Sequence, residues 1–225
     1  MCAAFPARRL RCRRGRRSRA VGGHALFTPI VAVLLSMIAS VLLTGAFHED
    51  GLADTCDALG GSVSRERALA IMKDSRIGAY GAVGLALMLG LKAATLVSLP
   101  LMAALPAVLL AHTASRLAPV LLIRWLRYAG DVDHAKAKPL AQQVSRVDVA
   151  VAASWVAALV LGLLLWQPGW RWPLVSSLLA ATAGLLWCRR WLHKRLGGYT
   201  GDTLGATQQI TEVLLLLGWL GALRT

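Results

Sequence analysis

The sequence predicts an all-α, polytopic integral membrane protein: a helix bundle with about six transmembrane helices. Hydrophobic residues make up 56% of its 225 residues, and charged residues only 16%. An average soluble domain has about 25% charged residues. Several apolar runs reach the length of about 20 residues that a helix needs to cross a bilayer. No internal repeat or low-complexity linker divides the sequence between these runs.

Each apolar run is assigned by its length and charge. Residues 26–47 form 22 positions without a charged side chain and predict the first span. Residues 79–114 hold a single charge, Lys92, but are too long for one helix. We therefore expect a hairpin of two helices that turns between Lys92 and Pro100. The remaining predicted spans are residues 149–166, 172–187 and 204–223.

Three polar segments between the spans are rich in Lys and Arg. They hold four, six and four basic residues, and comprise residues 48–78, 115–148 and 188–203. Because cytoplasmic loops carry an excess of Lys and Arg, we expect all three segments on the cytoplasmic face. A site that they form together would face the cytoplasm too.

The amino terminus does not fit this topology. Eight arginines lie between Arg8 and Arg19 and supply much of the net charge of +14. One span over residues 26–47 would place this arm outside, against the positive-inside rule. Three explanations remain open: a missing upstream span, a non-native arm at residues 1–25, or a signal peptide. No aromatic residue interleaves these arginines, so we expect no nucleic-acid partner. Residues 26–225 are then the membrane-embedded domain.

The acidic residues are concentrated just after the first span. Four of the eleven lie within residues 49–57. Asp50, Asp54 and Asp57 are spaced i, i+4, i+7, which places three carboxylates on one stripe of a helix. Like charges so close repel each other unless a cation lies among them, and hard oxygen ligands suit Mg²⁺. We predict that this stripe, with Glu49 beside it, holds Mg²⁺ and a diphosphate. A solvated acidic helix face is the alternative.

A second polar segment carries donors for phosphate oxygens. Lys73 and Arg76 are cations that suit this role, and ordinary cytoplasmic charge is the alternative. Asp74 lies between them as a metal ligand or as the partner of either cation. Arg116, at the cytoplasmic end of the third span, is assigned to substrate binding, with snorkelling as the alternative.

A glycine-rich turn precedes the last apolar run. Its sequence, GGYTGDTLGA at residues 197–206, lets backbone N–H groups at Gly198, Thr200 and Gly201 approach a ligand. A helix begins directly afterwards, and helix N-termini attract anions. Asp202 is either a functional acid or only an N-cap. Glu212 follows inside the apolar run and should face the bundle, because an acid facing lipid is costly.

Taken together, these segments resemble the adenosylcobinamide-GDP ribazoletransferase family, also called cobalamin 5′-phosphate synthase. The matching stretches are residues 45–57, 72–81 and 197–206, in this order. The resemblance implies a cell inner-membrane enzyme that uses Mg²⁺. It joins adenosylcobinamide-GDP to α-ribazole or its 5′-phosphate; GMP leaves and adenosylcobalamin or its phosphate forms. Association with other cobalamin-assembly enzymes is a further expectation.

For such a reaction the acids and cations have expected roles. Asp74 or Asp202 is the base on the ribazole hydroxyl. Lys73 and Arg76 hold phosphate oxygens, and His48 lies beside the metal ligands. Family members carry a further hydrophobic segment before the run at residue 26, where this chain has the arginine-rich arm. No site residue is assigned to residues 128–140, which depart from the family loop.

Two other functions fit parts of the pattern. A transporter with an acid-lined pathway would place its acids near the bilayer midplane, whereas all but Glu212 flank the spans. The acidic helix is also similar to the D-G-x-x-A-R motif of CDP-alcohol phosphotransferases. Here Asp54 follows the alanine where that motif has arginine, which argues against a phospholipid synthase.

Overall fold

The computed structural model describes residues 26–130 and 144–223. The arginine-rich arm and most of residues 128–140 lie outside the described residues. Within them the elements are helices, with the bounds α1 Pro29–Thr44, α2 Phe47–Leu59, α3 Arg65–Ile71, α4 Ala79–Ser98, α5 Leu101–Ala114, α6 Leu117–Trp125, α7 Arg146–Trp166, α8 Arg171–Leu196 and α9 Gly201–Leu223, and one 3-10 turn at Pro168–Trp170. These ranges contain no β-strand; they contain an isolated β-bridge between Tyr128 and Tyr199. The all-α fold class is confirmed.

The last helix is the centre of the bundle. α9 contacts α2, α4, α5, α6 and α8, and most of its side chains are buried. Its antiparallel neighbour α8 comes close enough for Ser176 Oγ to donate to the Gly218 carbonyl oxygen at 2.7 Å. A Cβ on Gly218 would lie 2.7 Å from the Ser177 Cα. Small residues at such contacts let helix backbones approach closely, as is typical inside membranes.

The predicted count of six spans is not confirmed. Three helical stretches within the described ranges are long and apolar enough to cross a membrane: Ala79–Ser98, Leu101–Trp125 and Arg146–Trp166. The bent pair α1 and α2 would make a fourth. The other two predicted runs lie in α8 and α9. α8 ends in a strongly basic turn, and α9 carries buried Thr, Gln and Glu side chains. Because α9 is surrounded by protein, its polar side chains avoid lipid.

The sequence predicts one span over residues 26–47, but the first apolar run is not a single straight helix. α1 has 16 residues and is about 24 Å long, shorter than the hydrocarbon core of about 30 Å. The chain then turns at Gly45 and Ala46, with φ of 65° and 58°. α2 leaves at 89° to α1. The acidic motif therefore occupies a separate helix across the end of the first one.

The predicted break into two helices is present, and it lies late in the run. α4 continues to Ser98 and α5 begins at Leu101, after Leu99 and Pro100. Lys92 lies inside α4 and is 5% exposed, so it is not part of the turn. Trp219, near the carboxyl-terminal end of α9, is fully buried in the apolar core around that helix.

α2 and α9 pack with almost no space between their backbones. A Cβ on Gly51 would lie 2.7 Å from the Asp202 carbonyl oxygen. A Cβ on Gly205 would lie 3.3 Å from the His48 Cα. Since only glycine leaves this room, the two glycines permit the contact that brings the acidic motif to the first turn of α9.

Gly51→Ala should destabilise the protein by about 1–3 kcal/mol, because the added methyl group overpacks the contact with the Asp202 backbone. Thermal unfolding in detergent micelles measures the change. Gly90→Ala is the matched control: its Cβ would meet nothing within 4 Å, and alanine is the better helix former. Equal stability of the Gly51→Ala variant and the native chain would contradict this packing.

Candidate active site

The three sequence motifs meet around α2. One side of this helix lies against the first turn of α9, through Gly51. Its carboxyl-terminal end lies against the start of α4, where Asp57 contacts Gly78 and Gly81. Residues far apart in the sequence thus come together, as expected of a single site.

Asp57 holds the beginning of α4. Its Oδ2 accepts a hydrogen bond from the Gly78 N–H at 2.7 Å, and its Oδ1 accepts one from the Gly81 N–H at 2.8 Å. A carboxylate at a helix N-terminus satisfies backbone donors that lack helical partners and interacts favourably with the helix dipole. Both oxygens are used in this way. The geometry therefore gives Asp57 an anchoring role and does not support the predicted metal ligand.

The other predicted metal ligands differ in exposure. Asp50 is exposed and Asp54 is half-buried, whereas Glu49 is 7% exposed. Glu49 Oε1 accepts a hydrogen bond from Gln209 Nε2 at 3.0 Å. Within the described residues, Glu49 Oε2 finds no hydrogen-bond donor, and Gln209 Oε1 lacks one as well. Glu49 points into the bundle, away from the exposed Asp50.

The predicted stripe does not form a complete metal cage. No three His, Cys, Asp or Glu side chains among the described residues converge on one metal position, because Asp57 turns to α4 and Glu49 to α9. Mg²⁺ at phosphate sites is typically held by one or two carboxylates together with substrate phosphates. Asp50 and Asp54, one helical turn apart, fit that smaller requirement.

The second motif forms an ion pair on the surface. Arg76 Nη2 lies 2.7 Å from Asp74 Oδ2, and their side chains are 86% and 39% exposed. The side-chain and backbone hydrogen bonds from Arg76 lower the pKa of Asp74 to about 2. Such a weakly basic carboxylate is a poor proton acceptor near neutral pH. Lys73 is exposed beside the pair, on the turn after α3.

The glycine-rich turn is shaped mainly by packing. A Cβ on Gly198 would collide with the Arg127 carbonyl oxygen, and Tyr199 N–H donates to that same carbonyl at 3.0 Å. Thr200 Oγ1 accepts from the Thr203 N–H at 3.3 Å, and Thr203 Oγ1 accepts from the Thr200 N–H at 2.8 Å. This exchange caps α9.

Two of the predicted residues in this turn keep access to the site. Gly201 begins α9, is exposed, and has open space where a Cβ would lie. Asp202 is half-buried in the first turn. The capping side chain is that of Thr200, and Asp202 is the second residue of α9.

The junction of α5 and α6 contributes the site's further positive charge. Arg116 precedes α6 and is exposed, and its guanidinium donates to the His112 carbonyl oxygen. Its charge also acts on the imidazole of His48.

Sequence reasoning missed several residues that support the site. Gln209 holds Glu49, and Arg65 donates from Nε to the Leu196 carbonyl at 2.8 Å and from Nη2 to the Ala129 carbonyl at 3.1 Å. Arg65 thereby ties the end of α8 to the segment beside Tyr199. The polar side chains of α9 were the available signal for Gln209, because they recur inside an otherwise apolar run.

The chain is similar to one group of known proteins. The cobalamin-5-phosphate synthase family matches residues 19–220. Relatives named adenosylcobinamide-GDP ribazoletransferase include one from Leptothrix cholodnii, 57% identical over 193 residues, which are 84% of this chain and 73% of the relative. One from Vibrio cholerae is 46% identical over 85% of this chain and 72% of the relative. One from Polaromonas sp. is 46% identical over 85% and 73%. No solved structure matches. The chain belongs to the cobalamin-5-phosphate synthase family.

Proposed function

We propose that this chain is an adenosylcobinamide-GDP ribazoletransferase, which carries out the cobalamin synthase step of cobalamin biosynthesis. The observation that carries the proposal is the convergence of the three family motifs on α2. Acidic residues, cations and the open start of α9 come together there, at the ends of helices. This arrangement suits a reaction between two phosphate-bearing or hydroxyl-bearing substrates.

The chemistry is a displacement at phosphorus. A ribose hydroxyl oxygen of α-ribazole, or of α-ribazole 5′-phosphate, attacks the phosphorus that carries the cobinamide in adenosylcobinamide-GDP. A new P–O bond forms, the P–O bond to GMP breaks, and a ribazole hydroxyl would pass its proton to a carboxylate. Asp202 is the proposed base because it lies in the first turn of α9 against Gly51 of α2, whereas the lowered pKa of Asp74 makes that carboxylate a poor proton acceptor.

Mg²⁺ is the metal that these residues would hold. Asp50 and Asp54 supply two carboxylates, and the diphosphate of the substrate completes the ligands. The bound ion would offset the negative charge that develops on departing GMP. Lys73 and Arg116 are exposed cations at the rim and would bind the outer phosphate oxygens. Glu49 lies too deep to share this surface.

The active site is proposed to face the cytoplasm from the inner membrane. The support is the excess of Lys and Arg in the three polar segments, which are residues 48–78, 115–148 and 188–203. Association with other cobalamin-assembly enzymes would follow from the same placement.

Membranes that contain the chain should release GMP from adenosylcobinamide-GDP when α-ribazole and Mg²⁺ are both supplied. Asp54→Asn should abolish this release while leaving the protein inserted, because it removes a central negative charge from the metal position. Chromatographic measurement of GMP over time gives the rate. Glu66→Gln, which neutralises an exposed acid on α3, is the control and should keep the native rate. Near-native release by inserted Asp54→Asn would remove Asp54 from the metal site.

Asp57→Asn should act on stability more than on metal affinity. The amide keeps one acceptor and loses the charge, so the start of α4 should lose about 1–3 kcal/mol of stabilisation. Chemical unfolding in micelles checks the loss. The Mg²⁺ concentration that gives half-maximal turnover should stay unchanged; a large increase would make Asp57 a metal ligand after all.

Single cysteines at Ser62, Ser75 and Gly201 should all react from the cytoplasmic side. These positions are exposed and lie in or beside the three motifs. The measurement compares a membrane-impermeant thiol reagent on intact cells and on inverted vesicles, in a background without the four native cysteines. Labelling of any one of them in intact cells would contradict the proposed orientation.

A further inference from the structure

A buried ion pair lies outside the residues that the proposed reaction uses. Lys92 Nζ of α4 lies 2.5 Å from Glu212 Oε1 of α9, and the two residues are 5% and 2% exposed. His112 Nδ1 approaches the same oxygen at 3.6 Å. Ser36 and Ser40 help to line a small cavity of about 80 Å³ beside the pair. Both charges are thus enclosed by the bundle.

Stability alone does not explain such a pair. The cost of desolvating two buried charges offsets much of their attraction, and apolar residues of similar volume are often neutral or stabilising replacements. Ionisable side chains inside membrane spans are expensive and usually serve function. A role in arranging other groups accounts for Lys92 and Glu212 better than a contribution to folding does.

Side-chain hydrogen bonds extend from the ion pair along α9 toward the candidate site. Gln208 Nε2 donates to Glu212 Oε2 at 2.5 Å and to Ser115 Oγ at 3.0 Å. The next residue, Gln209, donates to Glu49 at 3.0 Å. Successive side chains on a helix are about 100° apart. The two glutamines therefore reach different neighbours, and together they fix how far α9 is rotated about its axis.

We propose that Lys92 and Glu212 are positioning residues whose ion pair sets the rotation of α9, and with it the contact between Gln209 and Glu49. This inference rests on the proposed function. A rotation by one residue would separate Gln209 from Glu49. It would also bring a residue with a side chain to the place where Gly205 contacts α2. Even a Cβ on Gly205 would lie 3.3 Å from the His48 Cα. The pair acts on turnover through the placement of α9 and touches no substrate.

A double-mutant cycle in the full chain, reconstituted in lipid vesicles, tests this role. Lys92→Met and Glu212→Met each leave one buried charge unpaired and should lose stability. The double variant removes both charges, so it should insert and unfold like the native chain. Its kcat for GMP release should nevertheless fall about 100-fold, as expected when catalytic groups are displaced by about 1 Å. KM for adenosylcobinamide-GDP should stay unchanged.

A cross-linking readout does not depend on turnover. Cysteines at Glu49 and Gln209, in a cysteine-free background, should be joined efficiently by a short bifunctional thiol reagent when Lys92 and Glu212 are present. The yield should drop in the double methionine background. Thr95→Val is the matched control: Thr95 is buried one turn beyond Lys92 and its hydroxyl donates to the Leu91 carbonyl of its own helix. That variant should keep both the native kcat and the native yield.

The possible failures are distinguishable. Native kcat and cross-linking yield in the double variant would overturn the inference, because the pair would then serve folding alone. A double variant that does not fold would overturn it too, since the pair would be a requirement of the fold. An inactive native chain would instead contradict the proposed function. The cross-linking yields would still decide whether Lys92 and Glu212 position α9.

Discussion

The close approach of α2 to α9 is the constraint on which the rest of the structure depends. Gly51 and Gly205 remove the side chains that would separate the two helices. α2 can then lie across the start of α9 and still reach α4 through Asp57. The three motifs are therefore held together by the backbone contact at Gly51 and by the Asp57 carboxylate. The side chains of Asp50, Lys73 and Arg76 are left exposed at the junction.

Much of the fold could be predicted because its signals are local. Apolar length predicted α4 and α7. Ser64 caps α3, and serine is among the residues preferred at helix N-caps. The corner at Ala46 could not be predicted, because a left-handed alanine has no propensity signal. The predicted number of six spans is not confirmed for a different reason: α9 is surrounded by protein, and hydropathy does not distinguish protein from lipid.

The site was predictable in composition and only partly in geometry. Spacing placed Asp50, Asp54 and Asp57 on one helix, and this is correct. Spacing cannot show which carboxylate finds backbone donors, so the anchoring by Asp57 became visible only with α4 in place. The pairing of Lys92 with Glu212 could be inferred from the sequence. Each is a lone charge inside a long apolar run, and opposite lone charges predict an ion pair.

The loose attachment of α1 has a consequence for the dynamics of the molecule. Against the described part of the chain, α1 buries none of its residues, whereas α9 is buried along most of its length. Local opening is easiest where buried contacts are few. α1 should therefore shift relative to the bundle on a shorter timescale than α9, which contacts five other helices. Movement at this edge is in this way kept apart from α9, whose first turn meets the acidic motif of α2.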